Sequence, residues 1–326
     1  MAEPPPGTRS LAWGSEMTGL TTYIAKRLLG SVPIVLALSV LVFSIMHLVP
    51  GDPAQMMLGE IGVLAEATAN LRKQLGLDDP IHVQYFRFIS KALRGDFGRS
   101  FRSSQPVAQM LKEQFPSTFE LTVAGLATAI VLGVLLGIIA AVRRNSMVDH
   151  ISMLIALFGV SMPGFWFGLV LIMVFSFTLR LLPATGSGTL KHLILPALAL
   201  GLGALAVVAR LVRSSVLDVL KEDYVRTARA KGLSERVVIY RHVLRNSLIP
   251  VVTMVGLQFG RLLGGSVVIE QVFTRQGIGR LTVNAILDKD FQVVQGGVFL
   301  SALVFILVNL LVDISYAWLD PRVRYE

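Results

Sequence analysis

Few residues of this 326-residue chain have the types and spacing that catalysis requires. The sequence contains no G-x-x-x-x-G-K-[ST] loop to cradle phosphates, no H-E-x-x-H zinc motif and no G-x-S-x-G nucleophile turn. Its five histidines lie far apart, and the absence of cysteine excludes disulfides, thiolate metal sites and cysteine nucleophiles. We therefore predict that the chain is not an enzyme and binds no metal, so that a partner or an ion gradient supplies any energy it uses.

The most notable polar residues are Gln258 and Arg261, which interrupt a long apolar stretch. They are three residues apart and share one face of a helix. An arginine inside a membrane is costly, so it should face a water-filled pore or an acidic partner. Three roles stay open for Arg261: binding a substrate carboxylate, pairing with a second subunit, or extending to the membrane surface.

Three further polar residues stand within or directly after apolar stretches. Glu270 follows the stretch that holds Arg261 and could lie at the mouth of a pathway. Asn309 and Asp313 are four apart on the last apolar stretch, where hydrogen bonding between helices is the favoured role.

A basic segment, residues 223–250, has the most informative pattern. It predicts a helix, a break at Gly232, an N-cap at Ser234 and a second helix. Its basic face also carries apolar side chains: Tyr224, Ala228, Leu233, Val237 and Tyr240. Such a surface suits the docking of a partner, and the alternative is a loop that lies on anionic lipid headgroups.

The composition indicates the elements that must position these residues. Hydrophobic residues make up 53% of the chain and charged residues only 16%, with a mean hydropathy of +0.66. Soluble domains have about a quarter charged residues, so an ordinary soluble protein is excluded. The net charge of +9 fits positively charged cytoplasmic loops better than nucleic-acid binding.

Six apolar stretches are long enough to cross a membrane. They run over residues 28–49, 119–142, 151–179, 193–212, 248–269 and 297–319. The short loops and flanking segments on alternate sides of these stretches, leaving out the long loop 50–118, carry 15 and 5 Lys or Arg residues. The positive-inside rule therefore places both termini and the basic segment in the cytoplasm.

The regions outside the stretches give the domain boundaries. Residues 1–22 are predicted to be a flexible cytoplasmic tail, residues 23–49 the first transmembrane helix, and residues 320–326 a second tail. Residues 50–118 are predicted to form an external region with two short helices, followed by a turn at 96–98. An interfacial helix is the alternative for that region.

Small and helix-breaking residues indicate where helices bend or approach closely. Pro163, with Ser161 and Gly164 beside it, predicts a bend in the third stretch, either as part of a gate or as a static kink. Gly133 and Gly137 on the second stretch, and Gly201 on the fourth, predict close-packing surfaces rather than sites.

The segment Arg226-Thr227-Ala228-Arg229-Ala230-Lys231-Gly232, with Pro250 eighteen residues beyond the glycine, resembles the EAA loop of ABC importer permeases. Arg226 stands where that family has Glu, and Thr227 replaces its first Ala, whereas Ala228 and Gly232 match. The RTARAKG variant resembles the dipeptide/oligopeptide/nickel branch, and most closely the B-type permeases of dipeptide and glutathione importers.

Five other segments resemble the same branch in the same order. They are Pro50-Gly51-Asp52-Pro53, residues 75–78 with 95–98, Ser161-Met162-Pro163, residues 270–279 and the tail 320–325. Gln276 departs from the proline expected in the fourth of these, which should loosen that turn. The resemblance covers residues 23–326.

The resemblance implies a fold and a set of partners. The fold is an all-α, type I ABC importer transmembrane domain, with a core over residues 119–319 and a cytoplasmic EAA-like coupling loop over residues 213–247. The partners are a second, C-type permease, two ABC ATPases that bind ATP and Mg, an external substrate-binding protein and the lipid bilayer of the bacterial inner membrane. No cofactor is expected in this chain.

The resemblance also implies roles for particular residues. ATPase coupling is expected from Tyr224, Arg226, Thr227, Ala228, Lys231 and Gly232. The polar and helix-breaking residues of the apolar stretches, by their own chemistry, give the pathway or gate candidates Ser161, Pro163, Gln258, Arg261 and Glu270. The implied function is the membrane-spanning permease of an ATP-driven importer of di- or oligopeptides, including glutathione. The alternatives are a nickel or nickel-chelate importer permease and, from another class, a gradient-driven secondary transporter.

Overall fold

The computed structural model describes residues 8–48, 52, 54–55 and 65–319, and all its regular elements there are helical. In chain order they are α1 (Thr8–Leu48), α2 (Ala65–Leu75), α3 (Ile81–Ala92), α4 (Val107–Val142), α5 (Met147–Ser161), α6 (Gly164–Leu171), a π-helical segment (Ile172–Thr178), α7 (Lys191–Val219), α8 (Asp223–Ala230), α9 (Glu235–Val237), a second π-helical segment (Val238–Val243), α10 (Leu244–Ser247), α11 (Ile249–Val272), α12 (Ile278–Leu287) and α13 (Phe291–Leu319).

The spans confirm an all-α membrane protein. Among the described residues, five helical stretches are long and apolar enough to cross a membrane: Ile24–Leu48, Val107–Val142, Lys191–Val219, Ile249–Val272 and Phe291–Val312. The pair Met147–Ser161 and Gly164–Thr178 makes a sixth span if it is counted as one, and it is bent by 110°. The third stretch is therefore two helices with a sharp break between Ser161 and Gly164 rather than one continuous helix.

Two helices begin earlier than the sequence predicted. α4 begins at Val107 rather than at residue 119, because Val107 and Leu111 are buried and anchor its first turns. Its 36 residues correspond to about 54 Å, well beyond the ~30 Å hydrocarbon core. α1 begins at Thr8, so residues 8–22 are helical where a tail was predicted; no proline interrupts the sequence between Pro6 and Pro33.

Contacts divide the chain into two units, Met1–Leu93 with Ala302–Glu326, and Arg94–Ser301. In the first unit, the two short helices predicted within residues 50–118 are present as α2 and α3. The Tyr85 ring of α3 packs edge-on against Phe43 of α1 at 5.5 Å, and its hydroxyl lies 2.8 Å from Ser39 Oγ. The motif at residues 50–53 lies largely outside the described residues, as does the tail 320–326.

In the second unit, α4 and α7 approach closely through glycines. A Cβ on Gly137 would lie 2.6 Å from Val212 Cβ, and one on Gly201 would lie 2.5 Å from the carbonyl oxygen of Gly125. A Cβ on Gly133 would lie 2.9 Å from the carbonyl oxygen of Leu205. These glycines form the close-packing surfaces that the sequence predicted. They allow α4 and α7 to pack tightly in the core of this unit.

Candidate functional site

The break between α5 and α6 shapes the site. Proline disfavours helical geometry at the residue before it, and Met162 is accordingly extended (φ −93°, ψ 132°). Pro163 is the N-cap of α6, and no side chain caps the helix there. The first backbone N–H groups of α6 consequently have no acceptor within the helix.

A cleft of about 430 Å³ opens at this break, between α5, α6, α7 and α11. Gln258 and Arg261 line it together with Met162 and Gly164, the neighbours of Pro163. The fold thus brings the predicted bend and the two predicted polar residues to one place, although they are about a hundred residues apart in sequence. Ser161 and Pro163 flank the cleft without lining it.

The two polar residues of α11 differ in burial. Gln258 is only 3% exposed, and its Nε2 has no hydrogen-bond partner among the described residues. Arg261 is exposed and forms no ion pair with any described residue. It lies near the middle of α11, where an unpaired arginine costs about 2.5–3.5 kcal/mol on insertion scales. Such a cost favours a functional role over a packing role.

Glu270 is not at an open mouth, so the sequence interpretation of its position was wrong. Its side chain is fully buried. Thr118 Oγ1 donates to Glu270 Oε1 at 2.7 Å, and the backbone N–H of Arg280 donates to Oε2 at 3.0 Å. The carboxylate therefore sits at the N-terminus of α12, where a negative charge is favoured. It joins α4, α11 and α12 and is a structural group.

The turn between α11 and α12 allows this burial. Gly277 and Gly279 both face the Glu270 carboxylate, and a Cβ on either would collide with it. The Arg275 side chain is 2% exposed and pairs with Glu120 of α4. At Gln276, where a proline was expected, the carbonyl oxygen accepts a hydrogen bond from Ser117 Oγ (2.5 Å), so the turn is held rather than loose.

The basic loop, residues 213–247, contains the predicted helix, glycine break and second helix. Gly232 has φ +77°, the left-handed region that favours glycine. Its N–H donates to the carbonyl of Arg229 (2.9 Å), and the N–H of Leu233 donates to that of Ala228 (3.4 Å). This is a Schellman cap. Ser234 precedes the second helix, but its side chain does not cap it.

Side-chain contacts make the basic loop a compact body. Ala228 is 5% exposed and packs with Val225 in a cluster built on the end of α7, so it shapes the loop from within rather than offering a contact surface. Arg229 holds Glu235 through two hydrogen bonds of 2.6 and 3.1 Å. This guanidinium holds the pKa of the Glu235 carboxyl below its usual range. Asn246 Nδ2 donates to the Tyr224 hydroxyl at 2.8 Å.

The other predicted coupling residues form the outer face of the basic loop. Arg226, Thr227, Lys231 and Gly232 are exposed. Arg226 lies 3.6 Å from Asp223, but both side chains are more than three-quarters exposed, so that pair contributes little. Large apolar side chains of the same loop are exposed as well: Tyr224, Leu233, Val237 and Tyr240.

Asp149 is an important residue that the sequence interpretation missed. Its carboxylate accepts two hydrogen bonds of 2.7 Å from Arg213 and is 4% exposed, and this pair joins the start of α5 to α7. Asp149 also donates its backbone N–H to Ser146 Oγ (3.3 Å). The Ser146-x-x-Asp149 spacing before an apolar run is a capping-box signal that could have identified it. The Asp313 side chain lies outside the described residues, so its predicted hydrogen bonding to another helix stays a prediction.

Two family models match the chain. The model described as a binding-protein-dependent transport system inner membrane component matches residues 133–325, and one for the N-terminal part of such membrane components matches residues 20–122. The glutathione transport system permease protein GsiC of Escherichia coli (strain K12) is 48% identical over 307 residues, which is 94% of this chain and 100% of that protein. GsiC of Salmonella typhi matches with the same identity and coverage.

Solved structures agree in fold. An inward-facing form of the MetNI methionine ABC transporter has a TM-score of 0.53 at 17% identity, covering 63% of this chain and 94% of that chain. An amino acid ABC transporter with histidines has a TM-score of 0.50 at 12% identity, covering 66% and 94%. The fold is thus that of an ABC importer transmembrane domain. The chain belongs to the family of binding-protein-dependent transport system inner membrane components, and it is a multi-pass membrane permease subunit of an ABC importer.

Proposed function

We propose that this permease forms half of the pathway of an ATP-driven importer for small peptides of the dipeptide and glutathione class. The observation that carries the proposal is the 48% identity to glutathione permeases over their whole length. The chemistry of the cleft supports it, since Arg261 and Gln258 offer hydrogen-bond donors and the lining holds no Asp or Glu.

The partners in this proposal follow from the family. A second permease completes the pathway, an external binding protein delivers the peptide, and two ATPases bind ATP and Mg on the cytoplasmic side. This chain itself holds no cofactor. ATP binding closes the ATPase pair, and the basic loop carries that movement into the spans as a rigid body.

The build of the basic loop supports such a role. Val225 and Ala228 anchor α8 to the end of α7, while the Schellman cap and the Arg229–Glu235 pair fix its junction with α9. A movement imposed on the outer face would therefore reach α7 without being absorbed in the loop. Tyr224 and Tyr240 of the loop are also exposed and offer apolar anchors of the kind enriched at interfaces.

Uptake by cells tests the substrate. A strain lacking this gene, and the same strain carrying it with its partner subunits, would be supplied with labelled glutathione, a labelled dipeptide or nickel. We expect the gene to restore uptake of glutathione or dipeptide. Restored nickel uptake with no peptide uptake would instead support the nickel alternative.

Proteoliposomes test the energy source. The assembled complex, with its binding protein, should accumulate peptide only when ATP and Mg are supplied to the ATPase side. Accumulation driven by an ion gradient without ATP would support the secondary-transporter alternative and contradict the proposal.

Gly232→Asp tests coupling through the basic loop. An acidic residue at this exposed position adds a negative charge to the outer face of a basic loop, so uptake should be lost while the protein still inserts into the membrane. Gly232→Asn is the matched control, because asparagine tolerates the left-handed conformation without charge. Uptake would be measured beside membrane abundance, and wild-type uptake by the Asp variant would refute this role.

A further inference from the structure

The cleft at the break in the third span has three groups that suit an anion. Gln258 contributes a buried amide whose Nε2 has no partner among the described residues. Arg261 contributes a guanidinium without an ion pair to any described residue. The third group is the first turn of α6, whose residues Gly164 and Phe165 line the same cleft.

The helix terminus adds to the side chains because it is uncapped. Pro163 has no donor of its own, and no side chain among the described residues accepts from the first N–H groups of α6. A helix N-terminus carries a partial positive charge, and an anion there is stabilised. The guanidinium and this terminus therefore favour the same sign of ligand charge.

The lining offers little to a cation. Among the described residues, no Asp, Glu or His lines the cleft, so these residues provide neither a countercharge for an ammonium group nor the usual ligands for a nickel ion. Its volume of about 430 Å³ falls in the range of small-molecule sites, about 300–1,000 Å³. The remaining lining is largely apolar, as is usual for small-molecule sites in which a few polar groups fix the ligand.

We propose that this cleft binds a carboxylate of the transported peptide through the Arg261 guanidinium, the Gln258 amide and the first turn of α6. The inference rests on the proposed function, because it takes the ligand to be a small peptide. It means that the permease itself, and not only the external binding protein, selects among peptides. A peptide with a free carboxylate binds the cleft, and one whose carboxylates are blocked does not.

Binding to the assembled complex in nanodiscs, without the external binding protein, tests this directly. The probes are glutathione and its diethyl ester, measured by calorimetry. Wild type should bind glutathione at least tenfold more tightly than the ester. Arg261→Ala and the similarly sized Gln258→Met should each weaken glutathione binding about 10- to 100-fold, and Arg261→Lys should fall in between, since lysine keeps the charge but loses the two-pronged geometry.

Two control variants separate this effect from general damage. Leu257→Ala alters an exposed neighbour on α11 that does not line the cleft, and Arg144→Ala removes an exposed arginine elsewhere. Both should bind glutathione as wild type does. Assembly with the second permease would be followed by size-exclusion chromatography for every variant.

The contrary outcomes are distinct. Equal binding of glutathione and ester, or undiminished binding by both cleft variants, would overturn the inference. So would an Arg261→Ala variant that assembles poorly but whose assembled fraction binds normally, because Arg261 would then serve the subunit interface. A wild-type complex that imports no peptide would defeat the proposed function itself, whereas import by wild type and cleft variants alike would defeat only the carboxylate site.

Discussion

At the scale of single residues, the turn after α11 depends on two glycines and one carboxylate. Gly277 and Gly279 allow the N-terminus of α12 to approach Glu270, which also accepts a hydrogen bond from Thr118. Glycine is needed here for space, not for an unusual backbone conformation. The glycines and the glutamate within residues 270–279 therefore serve to pack α11 and α12 together rather than to bind a ligand.

We expect Gly279→Ala to destabilise the fold by about 1–3 kcal/mol. Its Cβ would lie 2.5 Å from Val267 Cα and 2.9 Å from Glu270 Oε2, and backbone atoms cannot easily give way. Gly264→Ala on α11 is the control, since its Cβ would have no heavy atom within 4 Å. Thermal unfolding in detergent measures both, and equal melting temperatures would contradict the role assigned to Gly279.

At the scale of elements, the basic loop and the α4–α5 turn are tied to the same helix, α7. The loop packs on the end of α7 through its apolar cluster, and the turn is tied to it through the Asp149–Arg213 pair. α7 in turn packs on α4 through glycines along its length. A displacement of the loop would thus move α4, α5 and α7 together.

Asp149→Asn should destabilise the protein by about 1.5–3 kcal/mol, because it leaves Arg213 without its charged partner in a site where the carboxylate is 4% exposed. Adding Arg213→Gln to Asp149→Asn should lower the free energy of unfolding by less than Arg213→Gln does on its own, because the two residues interact. Asp218→Asn is the control: its pair with Lys221 is about two-thirds exposed and contributes about 0–1 kcal/mol. Chemical denaturation of Asp149→Asn, Arg213→Gln, the double variant and Asp218→Asn would show non-additivity within the Asp149–Arg213 pair, and simple addition would contradict the coupling.

At the scale of the whole molecule, the arrangement in the membrane determines which face meets which partner. The excess of basic residues in alternate loops predicts that the basic loop lies in the cytoplasm and the start of α4 outside. The chain has no cysteine, so single introduced thiols report on sidedness without background.

Ala108→Cys and Ala230→Cys test this arrangement with two similar substitutions at exposed positions of α4 and α8. In cells whose outer membrane has been made permeable while the inner membrane is intact, a membrane-impermeant maleimide should label position 108 and not position 230. Position 230 should become reactive once the inner membrane is opened. The reverse pattern would invert the topology and place the basic loop away from any cytoplasmic ATPase.

The sequence by itself determined the membrane class, the six apolar stretches, the break at Pro163 and the helix–glycine–helix form of the basic loop. These features depend on local properties: apolar length, the missing N–H of proline and the left-handed geometry that glycine permits at Gly232. Each can be recognised within about thirty consecutive residues.

Only the tertiary structure decided that Glu270 is buried, that Ala228 faces inward, that Asp149 meets Arg213, and that the α6 terminus shares a cleft with Gln258 and Arg261. The residues that meet in these arrangements come from separate helices, many of them 60 to 150 positions apart along the chain. The pattern along a helix shows which face is apolar, but which neighbour covers that face is set by the close packing of helices against one another.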